Sequence, residues 1–369
     1  MVAWSTPFRT VWTRTAVTTV ARSWTSRNRM THPDPGGQGQ TPQPVVIALD
    51  LLGGDAGPEV VADAALAVLQ RTSDVDLVLV GPASTVAPLA QNRGLLASPF
   101  DGRVRLMDAP GEIAMTDDAV AAVRSRTDTS VHGAVTAVRE GTADAWVSIG
   151  HTGAVLTAAT LTLGRLHGVT RAAVAVVIPG TAHDVVLLDV GGSLDVSAEV
   201  LAQFGELGRA YAIALGLNAA PRVGLLSIGT EPGKGDALRK EADALLRTAD
   251  VGYVGFVEGR DIAAGGPADV IVVDGFTGNV VLKALEGAAV NVAHALAKVT
   301  GEKEAASVVA ANYLSGSKAG AVLLGVNGIT VLGHGGSTAD EVGACIDLAV
   351  RLARHDLVGR TRQLLSGGS

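Results

Sequence analysis

Residues 268–287 read ADVIVVDGFTGNVVLKALEG. A short β-branched run ending on Asp274 stops at Gly275-Phe276-Thr277-Gly278-Asn279, and an apolar-periodic segment starts at Val280. The run has the composition of a buried strand, and Val280, Val281, Ala284, Leu285 and Ala288 share one helical face. The spacing therefore predicts a strand, a glycine turn and a helix, with Asn279 as the N-cap. Glycines in the turn let the backbone approach a ligand, and the free N–H groups of a first helical turn form an anion site. Lys283 is expected in the first turns of that helix, where the macrodipole disfavours a cation. An anion between the lysine and the helix end relieves that conflict; a solvated lysine beside a packing turn is the plainer reading of this one motif.

The same pattern recurs along the chain. VVIALD (45–50) runs into LLGGDAG, and Pro58 is well placed to open a helix. ADAWVSIG (143–150) runs into HTGA, DVVLLDVGG into Ser193-Leu194-Asp195, and RVGLLSIG (222–229) into TEPGKGD. GITVLGHGGS precedes a helix for which Thr338 and Glu341 form a capping box. Residues 288–318 read as a helical hairpin with a polar middle at 301–304. Alternating strands and helices predict an α/β fold, a three-layer αβα arrangement with a mostly parallel sheet. Ligands bind such sheets outside the carboxyl ends of the strands. The six glycine turns at 53–55, 150–153, 191–193, 229–231, 275–279 and 334–337 are therefore expected along one rim, as a phosphate-lined cleft.

Composition narrows the function. Of 369 residues 47% are hydrophobic but only 3% aromatic, so the core is built from Val, Ala and Leu. The single cysteine, Cys345, permits neither an internal disulfide nor a cysteine metal site, and reads as a small core residue. The net charge is −7, while the first 33 residues hold five arginines and no acid. The remainder is thus more acidic still, which argues against nucleic acid as a partner. No run of about 18 apolar residues lacks a charge or a glycine break, so no transmembrane helix is expected. The NAD fingerprint, the P-loop, the G-x-S-x-G elbow, a cysteine nucleophile and H-E-x-x-H metal spacing are all absent. Residues 1–33 have the make-up of a transit peptide; the plainer account is that translation starts at Met30. Residues 34–44 read as a disordered Pro/Gly/Gln linker, and 45–369 as one folded domain.

Taken in order, ALDLLGGDAGPEVV, RSRTDTS, EGTADAWVSIGHTGAVL, LLDVGGSLD, PRVGLLSIGTEPGKGD, FVEGRDI, ADVIVVDGFTGNVVLKALEG and AVLLGVNGITVLGHGGS resemble the bacterial phosphate acyltransferase (PlsX) family. The resemblance implies conversion of fatty acyl-[acyl carrier protein] and inorganic phosphate into acyl phosphate for phospholipid synthesis. It further implies no cofactor, a homodimer, a cytoplasmic enzyme peripherally associated with membrane, and a fold similar to isopropylmalate dehydrogenase and phosphotransacetylase. Two other readings stay open: acyl transfer with coenzyme A as the thiol, and a diverged non-catalytic homologue that binds acyl carrier protein or membrane. The chain departs from the family pattern at His151 and Ser193, where the family usually has Asn, and at Leu52, where it usually has Met. An imidazole is not expected to match the donor-and-acceptor geometry of an amide.

Phosphate must be held with one oxygen aimed at a thioester carbonyl, the oxyanion needs fixed donors, and the leaving thiolate needs a proton. Lys283 with the N–H groups of Gly278 and Asn279 is the expected phosphate or oxyanion site, and Lys234 adds positive charge. His334 is the expected proton donor, and Asp189 and Asp195 orient donors or a helix end. Gly53, Gly54, Asp55, His151, Thr152, Gly153, Ser193, Thr230, Thr277, Gly335 and Ser337 complete the substrate-binding turns. Arg124, Arg126 and Arg260 are candidates for anion contacts or for docking an acidic carrier protein.

Overall fold

The computed structural model describes residues 43–314 and 320–367. The N-terminal extension and most of the linker lie outside the described residues, as does the end of the expected hairpin. Eleven strands form one sheet. They are β1 (Val45–Asp50), β2 (Val75–Gly81), β3 (Val104–Asp108), β4 (Ala145–Ser148), β5 (Ala173–Ile178) and β6 (Val185–Leu188). The rest are β7 (Val223–Leu226), β8 (Tyr253–Val257), β9 (Val270–Val272), β10 (Ala321–Leu324) and β11 (Ile329–Leu332). Their order is β3-β2-β1-β4-β11-β10-β5-β6-β9-β7-β8.

Both faces of the sheet are covered, which explains why its strands are apolar nearly throughout. Along β1, Ile47 and Leu49 enter the core on one face and Ala48 enters the core on the other, the period-two alternation of a strand. The first core takes in the helices Pro58–Arg71, Ala198–Ala214, Ala237–Thr248 and Ala339–Arg354. The second takes in Ala119–Ser125, Ser130–Arg139, Thr152–Thr162 and the start of Gly275–Thr300. This is the three-layer α/β architecture expected. Cys345 is buried on the Ala339–Arg354 helix, whose capping box of Thr338 and Glu341 is formed.

One expectation fails. The pairs β11–β10, β10–β5 and β5–β6 are antiparallel, whereas β1–β2, β1–β4, β4–β11, β6–β9 and β9–β7 are parallel. Three reversals in succession turn the second half of the sheet against the first. The carboxyl ends of β1, β4 and β11 therefore lie at one rim, and those of β6, β7 and β9 at the other. The six glycine turns form two groups of three, separated by a strand length of about 15 Å.

The decisive helix also begins earlier than its periodicity indicates. It spans Gly275–Thr300, and Asp274 rather than Asn279 is its N-cap, accepting from the Thr277 amide at 2.9 Å. The glycines belong to the first helical turn because that turn is pressed onto the exit of β6. A Cβ at Gly278 would lie 1.9 Å from the Asp189 carbonyl oxygen. The helix ends at Gly301 in the left-handed conformation, and Lys303–Leu314 returns alongside it. By length and composition the Gly275–Thr300 helix is apolar enough to cross a bilayer, although Gly278, Lys283, Glu286 and Gly287 interrupt its apolar run. Its start is nevertheless held against the sheet through buried Gly275, Gly278 and Leu282.

Candidate active site

The first rim is built from turns that touch one another. Gly53, at φ +84°, approaches Gly150 so closely that a Cβ on it would sit 2.7 Å from the Gly150 Cα. The Asp55 amide donates to the Gly335 carbonyl at 2.8 Å, which ties the turn after β1 to the turn after β11. The Gly333 amide donates to the Ser148 carbonyl at 2.9 Å and ties the turns after β11 and β4. Beneath them lies Asp50, 1% exposed at the end of β1. Its carboxyl accepts from the Leu52 amide (3.1 Å), the Ser148 hydroxyl (2.7 Å) and the Ser130 hydroxyl. Burial pushes this carboxyl up to about 6 despite those three donors.

Two histidines belong to the turns of this rim. His151 caps the Thr152–Thr162 helix, its Nδ1 accepting from the Gly153 amide at 3.1 Å. The imidazole thus supplies the acceptor that Asn would have supplied as a cap, and this half of the amide's geometry is retained. His334 is exposed, and its Nδ1 accepts from the Gly336 amide at 3.2 Å. Both neutral rings therefore carry their proton on Nε2. Ser337, 7% exposed, accepts from the His334 amide at 3.1 Å and holds that turn closed.

The second rim is organised around charges that satisfy one another. Asp189 is fully buried, and its carboxylate accepts from the amides of Val174, Gly191, Gly192 and Ser193 at 2.6–3.1 Å. Arg239 donates to Asp236 at 2.9 Å and also to Asp274, which in turn accepts the Thr277 hydroxyl at 2.8 Å. Burial opposes ionisation of Asp274, yet the Thr277 amide and hydroxyl and the Arg239 guanidinium hold its carboxyl below the ordinary range. Each of the three turns also exposes one large apolar side chain: Leu194, Ile228 and Phe276.

The predicted residues thus divide. Gly53, Gly54, Asp55, His151, Thr152, Gly153, His334, Gly335 and Ser337 share the first rim. Asp189, Ser193, Asp195, Thr230, Lys234, Thr277, Gly278, Asn279 and Lys283 belong to the second, and the two sets do not meet within one chain.

Several expected roles are corrected. The amides of Thr277 and Gly278 are spent on the side chain and carbonyl of Asp274, and that of Gly275 on the Ser193 carbonyl, so this helix start is not an open cradle. Asn279 lies inside the helix, where its amide serves the helical ladder. Lys283 falls in the third turn, exposed, with Nζ 2.8 Å from Glu286. Asp189 is occupied by four backbone amides and acts by shaping its turn. Asp195 is exposed and precedes the helix that Ser197, not Asp195, caps. Lys234 stands 4.0 Å from Glu231 on the solvent side of its loop. Arg126 is paired with Asp117 and Arg260 with Glu258, both at 2.5 Å.

Sequence reasoning missed Asp50, Ser130, Ser148, Arg239 and Asp274. A signal existed for Asp50 and Ser148: each is the polar last residue of a strand otherwise buried and apolar. Arg239 had none, because it is one charge among several on a polar helix.

Comparison with known proteins adds an independent line. The family model described as "Fatty acid synthesis protein" matches residues 45–360. A phosphate acyltransferase of Thermobifida fusca is 40% identical over 343 residues, 88% of this chain and 91% of that protein. Among solved structures, a phosphotransacetylase from Streptococcus pyogenes superposes with a TM-score of 0.56 at 19% identity, covering 86% of this chain and 94% of that one. A structure described as a 4-hydroxythreonine-4-phosphate dehydrogenase from Salmonella typhimurium gives 0.51 at 14% identity, covering 84% and 100%. These structural likenesses speak to the fold.

Proposed function

The chain belongs to the phosphate acyltransferase (PlsX) family, and from that premise we propose that it transfers a fatty acyl group from a thioester carrier to inorganic phosphate. A phosphate oxygen attacks the thioester carbonyl, the new C–O bond forms, and the C–S bond breaks. The proton of hydrogen phosphate ends on the leaving sulfur, so the products are an acyl phosphate and a free thiol. The observation that carries this reading is the 40% identity to a phosphate acyltransferase across nearly the whole folded chain.

The first rim is our choice for the reacting atoms. A thiolate must be protonated near neutral pH, and imidazole is the side chain suited to that. Both histidines next to glycine turns, His151 and His334, belong to this rim, whereas the turns of the second rim contain none. His334, with its proton on the outward Nε2, is the proposed donor to sulfur. The Gly53-Gly54 turn and the start of the Thr152–Thr162 helix are the proposed oxyanion cradle, since helix N-termini favour anions.

Acyl carrier protein is the proposed thiol carrier, a homodimer the proposed assembly, and the inner face of the cell membrane the proposed site of peripheral association. The family relationship supports all three. The test is thiol release from acyl-[acyl carrier protein] and from acyl-coenzyme A, each with and without phosphate. Phosphate-dependent release from the carrier protein is expected. Release from coenzyme A alone would replace the carrier, and no release from either would refute the activity.

A further inference from the structure

Asp50 takes no part in the chemistry just described, yet it is the point from which the first rim is laced. Its carboxyl reaches three separate elements. Through the Leu52 amide, at 3.1 Å, it holds the start of the Gly53-Gly54 turn. Through the Ser148 hydroxyl, at 2.7 Å, it reaches the turn after β4, because the same hydroxyl oxygen accepts from the Gly150 amide at 3.1 Å. Through Ser130 it holds the first residue of the Ser130–Arg139 helix. All three polar side chains are 1% exposed. Space is tight as well: a Cβ on Gly150 would meet both the Ser148 hydroxyl, at 3.3 Å, and an Asp50 oxygen, at 3.6 Å.

Packing alone does not explain a carboxylate at this depth, since an apolar side chain of similar size avoids the cost of burying charge. What an ionised carboxylate adds is direction. It has no proton, so both serine hydroxyls must point their protons at it. Ser148 is thereby left as a pure acceptor toward Gly150, one residue before His151. Taking the first rim as the reacting site, we propose that Asp50 is its positioning residue: its carboxylate orients Ser130 and Ser148 and so sets the spacing between the Gly53 and Gly150 turns.

Protonation must then disturb the rim, because a carboxylic acid has to donate one hydrogen bond and one serine has to turn. Burial places that event at about 6. The like charge of Glu112 is the smallest of the contributions to that value. Asp55, His151 and His334 stand in the turns above, whereas His132, on the helix of Ser130, faces Thr129 and Asp128 instead.

The experiment is a pH profile of phosphate-dependent thiol release for the parent, Asp50→Asn, Ser148→Ala and His334→Gln, each with a thermal melt. In the parent we expect kcat to fall as pH drops through about 6. Asp50→Asn should lose that limb and at least tenfold in kcat at neutral pH, with little change in KM for phosphate and no lower melting temperature. Ser148→Ala removes a donor that lowers the carboxyl pKa, so its limb should move to higher pH; this variant decides the matter if Asp50→Asn does not fold. A retained limb in Asp50→Asn, or an unmoved one in Ser148→Ala, overturns the proposal. If His334→Gln is impaired while Asp50→Asn is not, only the positioning role fails. If both keep parental rates, the assignment of the reaction to this rim fails with it.

Discussion

The two rims share one local grammar of apolar strand, glycine turn and helix, but their polar groups are organised in opposite ways. At the first rim the turns lean on each other, two imidazoles cap them, and burial pushes the carboxyl of Asp50 up to about 6. At the second, each buried acid is held by donors of its own neighbourhood. Asp189 closes its own turn, Asp274 is held by Arg239 and Thr277, and Lys283 lies on Glu286. A glycine turn after a strand is therefore a means of close approach, and what approaches can be a ligand or simply another part of the fold.

The largest effect should come from the second rim, as a loss of fold. Gly278→Ala places a methyl 1.9 Å from the Asp189 carbonyl, so helix and β6 must separate. A loss of stability of about 3 kcal/mol or more is expected in denaturant titration, as for overpacking against backbone; a parental midpoint would remove the packing account of that glycine.

Next in size is His334→Gln, which keeps a polar side chain but has no imidazole to pass a proton. About a hundredfold loss of kcat is expected, with an unchanged melting curve. A loss below threefold would move the proton donor elsewhere.

Asp274→Asn tests whether the charges of the second rim serve stability. It should cost about 2 kcal/mol at neutral pH by weakening the anchor of a mostly buried guanidinium. Because the folded carboxyl is held below its ordinary value, its stabilisation is complete above about pH 4 and is lost as pH falls through the lower folded value. The gap between parent and variant, followed by thermal melts, should accordingly narrow in acid. A pH-independent gap would mean that the charge contributes nothing.

The smallest effect is expected from Lys283→Ala, because the lysine is exposed and ion pairs of solvated side chains contribute about 0.5 kcal/mol. Phosphate KM should change less than twofold. A large rise would restore this lysine to the site and bring the second rim into the chemistry.

Much of the architecture was legible from residues alone. Pro58 opening a helix, Thr338 with Glu341 closing a cap, and Cys345 as a core residue are local matters, decided by neighbours within a turn or two. The start of the Gly275–Thr300 helix was misread because periodicity registers only residues that face the core. Gly275 and Gly278 face it without an apolar side chain to reveal it. Asp50 was passed over for a related reason, since a carboxylate at a strand end reads as a boundary until the serines that surround it are known to lie 80 and 98 residues away.

Sequence by itself determined the layers, most of the elements other than β10 and the residue chemistry of the turns, because alternation, capping and glycine conformation act over a few residues. Only the tertiary structure decided which turns share a rim. Strand direction depends on which distant strand supplies the hydrogen-bonding partner, and β10, β5 and β6 pair antiparallel across a sheet that otherwise reads as parallel. That nonlocal choice puts the His334 turn against Asp55, on the same rim as His151, and sends the start of the Lys283 helix to the opposite rim.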